Sequence, residues 1–492
     1  MAAHLPALQV VVPLIAAPLC LILRRGALAW ALALAVSWLS LVIAIALLAR
    51  VLDAGVLSYA FGGWPAPWGI EYRVDTVNAF VLLLVSAISA LVLPYARVSI
   101  AAELPAEQHH LFYTTYLLCL TGLLGITITG DAFNLFVFLE ISSLSSYVLI
   151  SLGNDRRALT AAFQYLVMGT IGATFILIGI GLLYMMTGTL NMADLAQRLV
   201  AVSGTRPVLA AFAFITVGIS LKLALFPLHL WLPNAYAYAP SAVTVFLAAT
   251  ATLVAVYMLL RFVFTVFGGA FAFGATPLGA ILLPLALIAI FTTSTVAIFQ
   301  DDIKRMLAYS SLAQLGYMIL GVSFASVTGL TATIVHLFNH ALMKGALFMV
   351  MGSVYLRLRS VDIADFRGLG RAMPLTMGAF VVGGLSLIGI PLTVGFISKW
   401  YLVLAALERG WWWAAALVLL GSLLGVVYVW RVVEVAYFQA LPQGRAAPAE
   451  APLSMLIPTW ALIAANLYFG VDTERTLGVA GKAAAHLIGG TP

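Results

Sequence analysis

The sequence predicts an all-α polytopic membrane protein of about 14 transmembrane helices, on three observations. First, 63% of the 492 residues are hydrophobic and 9% are charged, against roughly 45–50% and about 25% in an average soluble domain. Second, apolar runs recur along the whole chain, each near the roughly 20 residues that a helix needs to cross a bilayer. Third, in two of these runs a proline, Pro227 or Pro391, stands close to a lysine that the bilayer would otherwise exclude. This composition excludes a soluble globular protein, a disordered chain and a nucleic-acid-binding domain. The net charge of +6 is read as a mark of orientation in the lipid bilayer rather than of an anionic partner.

The first run, 5–23, imitates a secretory signal. Arg24 and Arg25 follow it rather than precede it, however, and no small-residue cleavage site ends it, so it is read as a retained first span. The second run covers 27–49. A polar gap at 50–74, with Gly62-Gly63, Pro65 and Pro67, separates it from the third at 75–95. Further spans are expected at 110–129, 132–151, 159–187, 208–230, 240–266, 277–299, 303–323, 327–356, 374–402, 411–438 and 453–470. A polar link at 357–373 carries Arg357, Arg359, Asp362, Asp365, Arg367 and Arg371. No loop is large enough for an extramembrane domain and no nucleotide-binding motif appears. The chain is therefore expected to have no ATPase activity, no catalytic site of its own and no cofactor. Cys20 and Cys119 lie in apolar runs without metal-ligand spacing and read as core residues.

Sorting the basic residues by connection gives an orientation. Connections after odd-numbered spans carry 13, among them Arg24, Arg25, Arg156, Arg157, Lys304, Arg305, Arg431 and Arg445; the other side carries 8. The bias places the odd connections in the cytoplasm and both termini outside the cell membrane. Lys304-Arg305 and Asp155-Arg156-Arg157 read as surface charges, and Trp411-Trp412-Trp413 as an interface anchor. Three basic residues remain deep in apolar runs, Lys222, Lys344 and Lys399, and one acidic residue, Glu140, sits mid-span.

Charge at that depth calls for a mechanism. Burial disfavours the charged form of a group and an opposite charge restores it, so a Glu–Lys pair of variable separation is a proton switch. Glu140 is followed by Ser142, Ser143, Ser145 and Ser146, and so has a polar side. Lys222 precedes Pro227, which has no N–H for the carbonyl of Leu223 and should break the helix. Lys399 follows a second expected break at Pro391, flanked by Gly389 and Gly395. His336, His340 and Lys344 recur at i, i+4 and i+8, one face of one helix, and histidine exchanges protons near neutral pH. The blander readings are a structural ion pair for Glu140, snorkelling for the lysines and core roles for the histidines. A zincin-type metal site would need Glu where Leu337 stands, so no metal is expected.

A weak internal repeat accompanies these residues. Gly130-Asp131, Phe226-Pro227-Leu228 and Tyr257 recur as Asp301-Asp302, Ile390-Pro391-Leu392 and Tyr428, at offsets of 170, 164 and 171 residues. Five spans separate the copies, and an odd number inverts the second copy, a common transporter design.

The Gly130-to-Tyr147 run, the Lys222-to-Pro233 segment with Ala239-Pro240-Ser241, the His336/His340/Lys344 helix and the Gly389-to-Lys399 break together resemble the antiporter-like subunits. That family is shared by Mrp-type multisubunit monovalent cation/proton antiporters, respiratory complex I and membrane-bound hydrogenases. The resemblance covers roughly 75–440 and is greatest to the MrpD-type member of the Mrp antiporters. It implies two inverted five-helix repeats at 109–266 and 277–440, between three helices at 1–108 and a last helix and tail at 441–492, with spans 7 and 12 broken. It implies Glu140 as a modulating carboxylate, Lys222 as its partner, His336, His340 and Lys344 as a relay, and Lys399 as a terminal proton site. It also implies other subunits as partners and protons, with Na+, as cargo; the alternative is a proton-pumping subunit of a redox-driven complex. One departure stands out. Relatives usually carry a lysine on span 8, where this chain has Leu253, so the path is expected either to pass by water, Thr252 or Lys344 or to be interrupted there.

Overall fold

The computed structural model describes residues 2–444 and 446–489; Arg445, one of the loop cations counted above, lies outside them. The chain runs through α1 (Leu5–Leu23) and α2 (Gly26–Ala54) into a short antiparallel hairpin, β1 (Leu57–Ala60) and β2 (Glu71–Val74). Then come α3 (Thr76–Glu103), α4 (His109–Ile128), α5 (Ala132–Ser151), α6 (Arg157–Thr187) and α7 (Met192–Val202). Next are α8 (Arg206–Lys222), α9 (Trp231–Tyr238), α10 (Ser241–Leu260), α11 (Leu278–Ile298), α12 (Ile303–Ser323) and α13 (Val327–Leu358). The last are α14 (Leu369–Ala372), α15 (Pro374–Ile388), α16 (Val394–Glu408), α17 (Trp412–Phe438), α18 (Leu453–Val471) and α19 (Glu474–Gly489).

Among the described residues, 12 helices are long and apolar enough to cross a membrane. The two other expected spans are each split: α8 gives way to α9 after Lys222, and α15 to α16 after Ile388. The hairpin, the amphipathic α7 and the C-terminal α19 were not expected. The hairpin comes from the 50–74 gap, whose glycines and prolines disfavour helix and favour turns. The small residues Ala480, Ala483 and Ala484 of α19 are buried, and α19 packs on α3 and α13.

Packing separates a centre from a periphery. Of the most apolar window of each helix, 94% is buried in the α10 segment, α12 and α13, against 39% in α1, α2, α6 and α11. The outer helices leave large apolar side chains exposed. The central ones are covered by protein on nearly all sides, which is where polar groups at membrane depth are tolerated.

Helix starts are held by short polar side chains that accept the otherwise unpaired N–H groups of the first turn. Asp131 Oδ1 accepts from Asn134 N at 2.7 Å, and Asp302 Oδ1 from Arg305 N at 2.8 Å. Asp131 also bridges to Asn191, and Asp302 to Asp362. The backbone bonds match as well: Ala132 to Leu190 and Met192 to Gly130 in one, Ile303 to Val361 and Ile363 to Asp301 in the other. One offset relates both pairs (302 − 131 and 362 − 191, each 171). Burial raises both carboxyls above the ordinary carboxylate value, opposed at Asp131 by the N–H groups of Asn134 and Phe133 and at Asp302 by the Arg305 N–H and the charges of Lys304 and Arg305.

Candidate functional site

The first helix break begins one residue after Lys222. Ala224 adopts φ 58°, and the N–H groups of Ala224 and Leu225 turn back to the carbonyls of Leu221 and Ser220 at 3.2 and 2.9 Å. The Trp231 indole also donates to the Leu221 carbonyl, at 3.1 Å. Backbone and indole thus satisfy carbonyls at the end of α8, and the lysine turns elsewhere. Its ammonium donates to Ser143 Oγ at 2.8 Å. It also sits at a helix C-terminus, whose partial negative charge favours a cation. Glu140 lies one turn before Ser143 on α5, close enough for its charge to act on Lys222, and its Oε1 is buried without a hydrogen-bond partner. The expected Glu140–Lys222 pair is therefore not a closed ion pair, since the lysine takes a hydroxyl of the same helix. Gly169 on α6 permits this approach: a Cβ there would strike the Tyr147 hydroxyl and stand 3.4 Å from Lys222 Nζ.

The second break passes through Gly389 at φ 93° and Leu392 at φ 72°. Here the lysine does take the freed carbonyls. Lys399 Nζ donates to Leu387 O at 3.0 Å and Ile388 O at 2.8 Å, the last carbonyls of α15, which have no partner within the helix. The ammonium also stands 4.9 Å from the centre of the Tyr317 ring, a cation–π distance. Pro227 and Pro391 each fall inside a break, as expected from the missing N–H.

Between the breaks in the chain comes α13, which packs on α16 and on α10, and α10 in turn packs on α8. His336, His340 and Lys344 are completely buried, and their i, i+4, i+8 spacing runs down its central turns. His336 Nδ1 shares a hydrogen bond with Ser398 Oγ at 2.7 Å, one residue before Lys399. The rings of His336 and His340 are 6.5 Å apart. Lys344 donates to Leu307 O at 2.9 Å and to Ser310 Oγ, both on α12. Several buried polar atoms nearby have no partner: His336 Nε2, both ring nitrogens of His340, Gln314 Oε1 and Thr252 Oγ1. Leu253 is fully buried, and α10 has no acidic, basic or histidine side chain along its length.

Among the buried charges that escaped sequence reading are the Asp75–Arg261 pair and Lys304. Asp75, just before α3, is 2% exposed and forms an ion pair with Arg261 at 2.7 Å. Burial pushes the Asp75 carboxyl up, but the Arg261 charge and hydrogen bonds outweigh it and hold the group below its ordinary value. Lys304, read as a surface charge, is 4% exposed. Its helix is central, and Ser241 and Tyr355 from α10 and α13 cover its first turn. The available signal was Asp302, a helix-capping residue that puts Lys304 inside the helix rather than in the loop. For Asp75 and Arg261, 186 residues apart, no local signal exists.

A family model described as NADH:quinone oxidoreductase/Mrp antiporter, transmembrane, matches residues 129–425. NADH-quinone oxidoreductase subunit N of Desulforudis audaxviator is 42% identical over 497 residues, 97% of each chain. The D-type subunit of the Na(+)/H(+) antiporter of Alkalihalophilus pseudofirmus is 30% identical over 434 residues, 88% of this chain and 87% of that one. A chain of the membrane-bound sulfane sulfur reductase, an archaeal respiratory membrane complex, superposes with a TM-score of 0.91 at 31% identity, over 99% of this chain and 98% of that one.

Proposed function

The chain belongs to the NADH:quinone oxidoreductase/Mrp antiporter family, as an antiporter-like membrane subunit, and we propose that it moves protons along a buried line of lysines and histidines at the membrane midplane. One observation carries this reading. Lys222 and Lys399 stand at helix breaks, and α13, which bears the buried His336, His340 and Lys344, packs on the Lys399 helix α16 and through α10 on the Lys222 helix α8. Charges there are costly and lie on protein-covered helices.

In this reading Glu140 and Lys222 form the switch. With Lys222 on Ser143 the pair is apart; approach of the carboxylate stabilises the ammonium, and separation favours release of its proton. Lys344 receives the proton, the two histidines hand it on, and Lys399 is the terminal site. Unpartnered atoms of His340, Gln314 and Thr252 would take water as their partner, which supports passage beside Leu253. The matched Asp131–Asn191 and Asp302–Asp362 bridges support inverted repeats at 109–266 and 277–440, with fourteen crossings once each broken span is counted as one. The positive-inside bias supports a cell-membrane location with both termini outside the cytoplasm.

Two parent assemblies were expected, each with further subunits as partners. An Mrp-type complex would exchange the protons for Na+ or another monovalent cation, and the Alkalihalophilus antiporter relative supports it. A redox-driven proton pump has the more similar relative behind it, the oxidoreductase chain at 42% identity, and is the reading we favour. The test is purification of the native complex and its reconstitution into vesicles. Lys222→Ala and Glu140→Ala should abolish proton flux, and unaltered flux would refute the relay. Co-purifying redox subunits would assign the pump; cation-dependent flux without them would assign the antiporter.

A further inference from the structure

On the face that carries the odd-numbered connections a cavity of about 280 Å³ opens. Its wall includes Glu103, Tyr238, Asp302, Lys304, Tyr355 and Arg359. Two of these are buried charges that the midplane line does not use. Glu103, the last residue of α3, accepts from Ser241 N at 2.9 Å and from Ser99 Oγ at 2.7 Å. Lys304 donates to Ser241 Oγ at 3.0 Å and stands 5.3 Å from the centre of the Tyr355 ring. A carboxylate and an ammonium thus share one serine at the floor of an open cavity.

Lys304 also begins a polar face along α12. Three residues on, the Leu307 carbonyl accepts from Lys344; Ser310 accepts from Lys344 as well. Gln314 follows, 1% exposed with Oε1 unpartnered. Tyr317 then lies against the Lys399 ammonium and the His336 ring. Steps of three and four keep these groups on one side of the helix. One helix therefore touches the cavity, the central lysine and the terminal lysine in turn.

We propose that this cavity is the aqueous mouth of the proton path on that face, with Glu103 and Lys304 as its proton-exchanging floor and the polar face of α12 as its link to Lys344. The ligand is water with its excess proton. The mouth binds it at the Glu103 carboxylate and the Lys304 amine, and a proton leaving Lys304 restores the free amine for the next. The inference rests on the proton-relay reading above.

The experiment uses the native complex in vesicles, with proton flux followed by a pH-sensitive dye. Lys304→Arg keeps the positive charge, the donors to Ser241 and the place over Tyr355, but arginine does not deprotonate in proteins. A complex that assembles normally and loses flux about 100-fold, the scale of a lost proton-transfer group, supports the proposal. Flux indistinguishable from the unsubstituted complex shows that Lys304 serves only as a fixed charge and overturns it. Should Lys304→Arg not assemble, Glu103→Gln, of nearly equal size but with an amide that cannot take up a proton, decides in the same way. Lys344→Ala, run alongside, separates the two claims. Flux that survives it refutes the relay itself; flux lost with Lys344→Ala but kept with Lys304→Arg and Glu103→Gln removes the mouth alone.

Discussion

Replacing Asp75 with alanine tests how far the tertiary structure, rather than the apolar composition, holds this chain together. Asp75 Oδ2 and Oδ1 accept from Arg261 Nη1 and Nη2 at 2.7 and 3.1 Å. Oδ1 also accepts from Val77 N at 3.0 Å and Asn78 N at 3.1 Å, capping α3. The Arg261 side chain is 7% exposed and the Asp75 side chain 2%. Removing one partner of such a pair strands the other charge, at a cost of about 3–5 kcal/mol, and losing the cap adds about 1 kcal/mol. Asp75→Ala is therefore expected to cost about 4–6 kcal/mol, the sum of those two effects. Arg261→Met leaves the carboxylate its backbone N–H partners and should cost less. The double variant should cost less than the two singles added, because neither charge is left stranded. Equilibrium unfolding of the purified protein in mixed micelles, run as a double-mutant cycle, measures all three. The pH dependence follows from the depressed carboxyl of Asp75. Its contribution is complete above the unfolded value of roughly 4 and is lost only as pH falls through the lower folded value. Stability lost through this pair should thus be absent between pH 7 and about 5. A cost of Asp75→Ala under about 1 kcal/mol, the value of an exposed pair, or strict additivity of the singles, would refute the reasoning.

Other consequences are equally direct. Lys399→Ala should lower proton flux about 100-fold without loss of assembly, and a normal flux in reconstituted vesicles would remove Lys399 from the path. Gly395→Ala places a Cβ against the Ser386 carbonyl, and overpacking of this kind costs about 1–3 kcal/mol; an unchanged unfolding midpoint would show that the second break yields freely. Ser398→Ala takes away the partner of His336 Nδ1, at about 1–3 kcal/mol for a stranded buried polar atom, and should slow flux while leaving the Lys222 end of the line untouched. Flux equal to the unsubstituted complex would argue that His336 is a core residue.

Much of the fold was legible because its physics is local. Expected spans at 5–23, 132–151 and 303–323 coincide with α1, α5 and α12, since apolar length and polar breaks decide where a helix crosses. Proline by itself does not mark a break: Pro13, Pro18, Pro94, Pro284 and Pro458 stay inside continuous helices, whereas the runs at Pro227 and Pro391 part where left-handed residues, Ala224 and Leu392, accompany the proline. The helices α7 and α19 were missed because both are amphipathic and neither offers an apolar run. The site divides along the same line. The depth of Glu140, Lys222, His336, His340, Lys344 and Lys399 could be read from the runs that enclose them.

What the sequence determined by itself, then, was that Lys222, His336, His340, Lys344 and Lys399 fall deep inside apolar runs, because hydropathy acts within a few residues; that Arg261 and Lys304, at the ends of such runs, are buried as well was decided by the fold. Only the tertiary structure decided whom those charges meet. Lys222 turns to Ser143 rather than Glu140, Lys399 takes the carbonyls of Leu387 and Ile388, and Lys304 is covered by Ser241 and Tyr355. These partners lie on other turns and other helices, up to 79 residues away for Lys222. Hydrogen bonding acts over about 3 Å, and the packing of α5, α10, α12, α13 and α15 alone brings the groups that close.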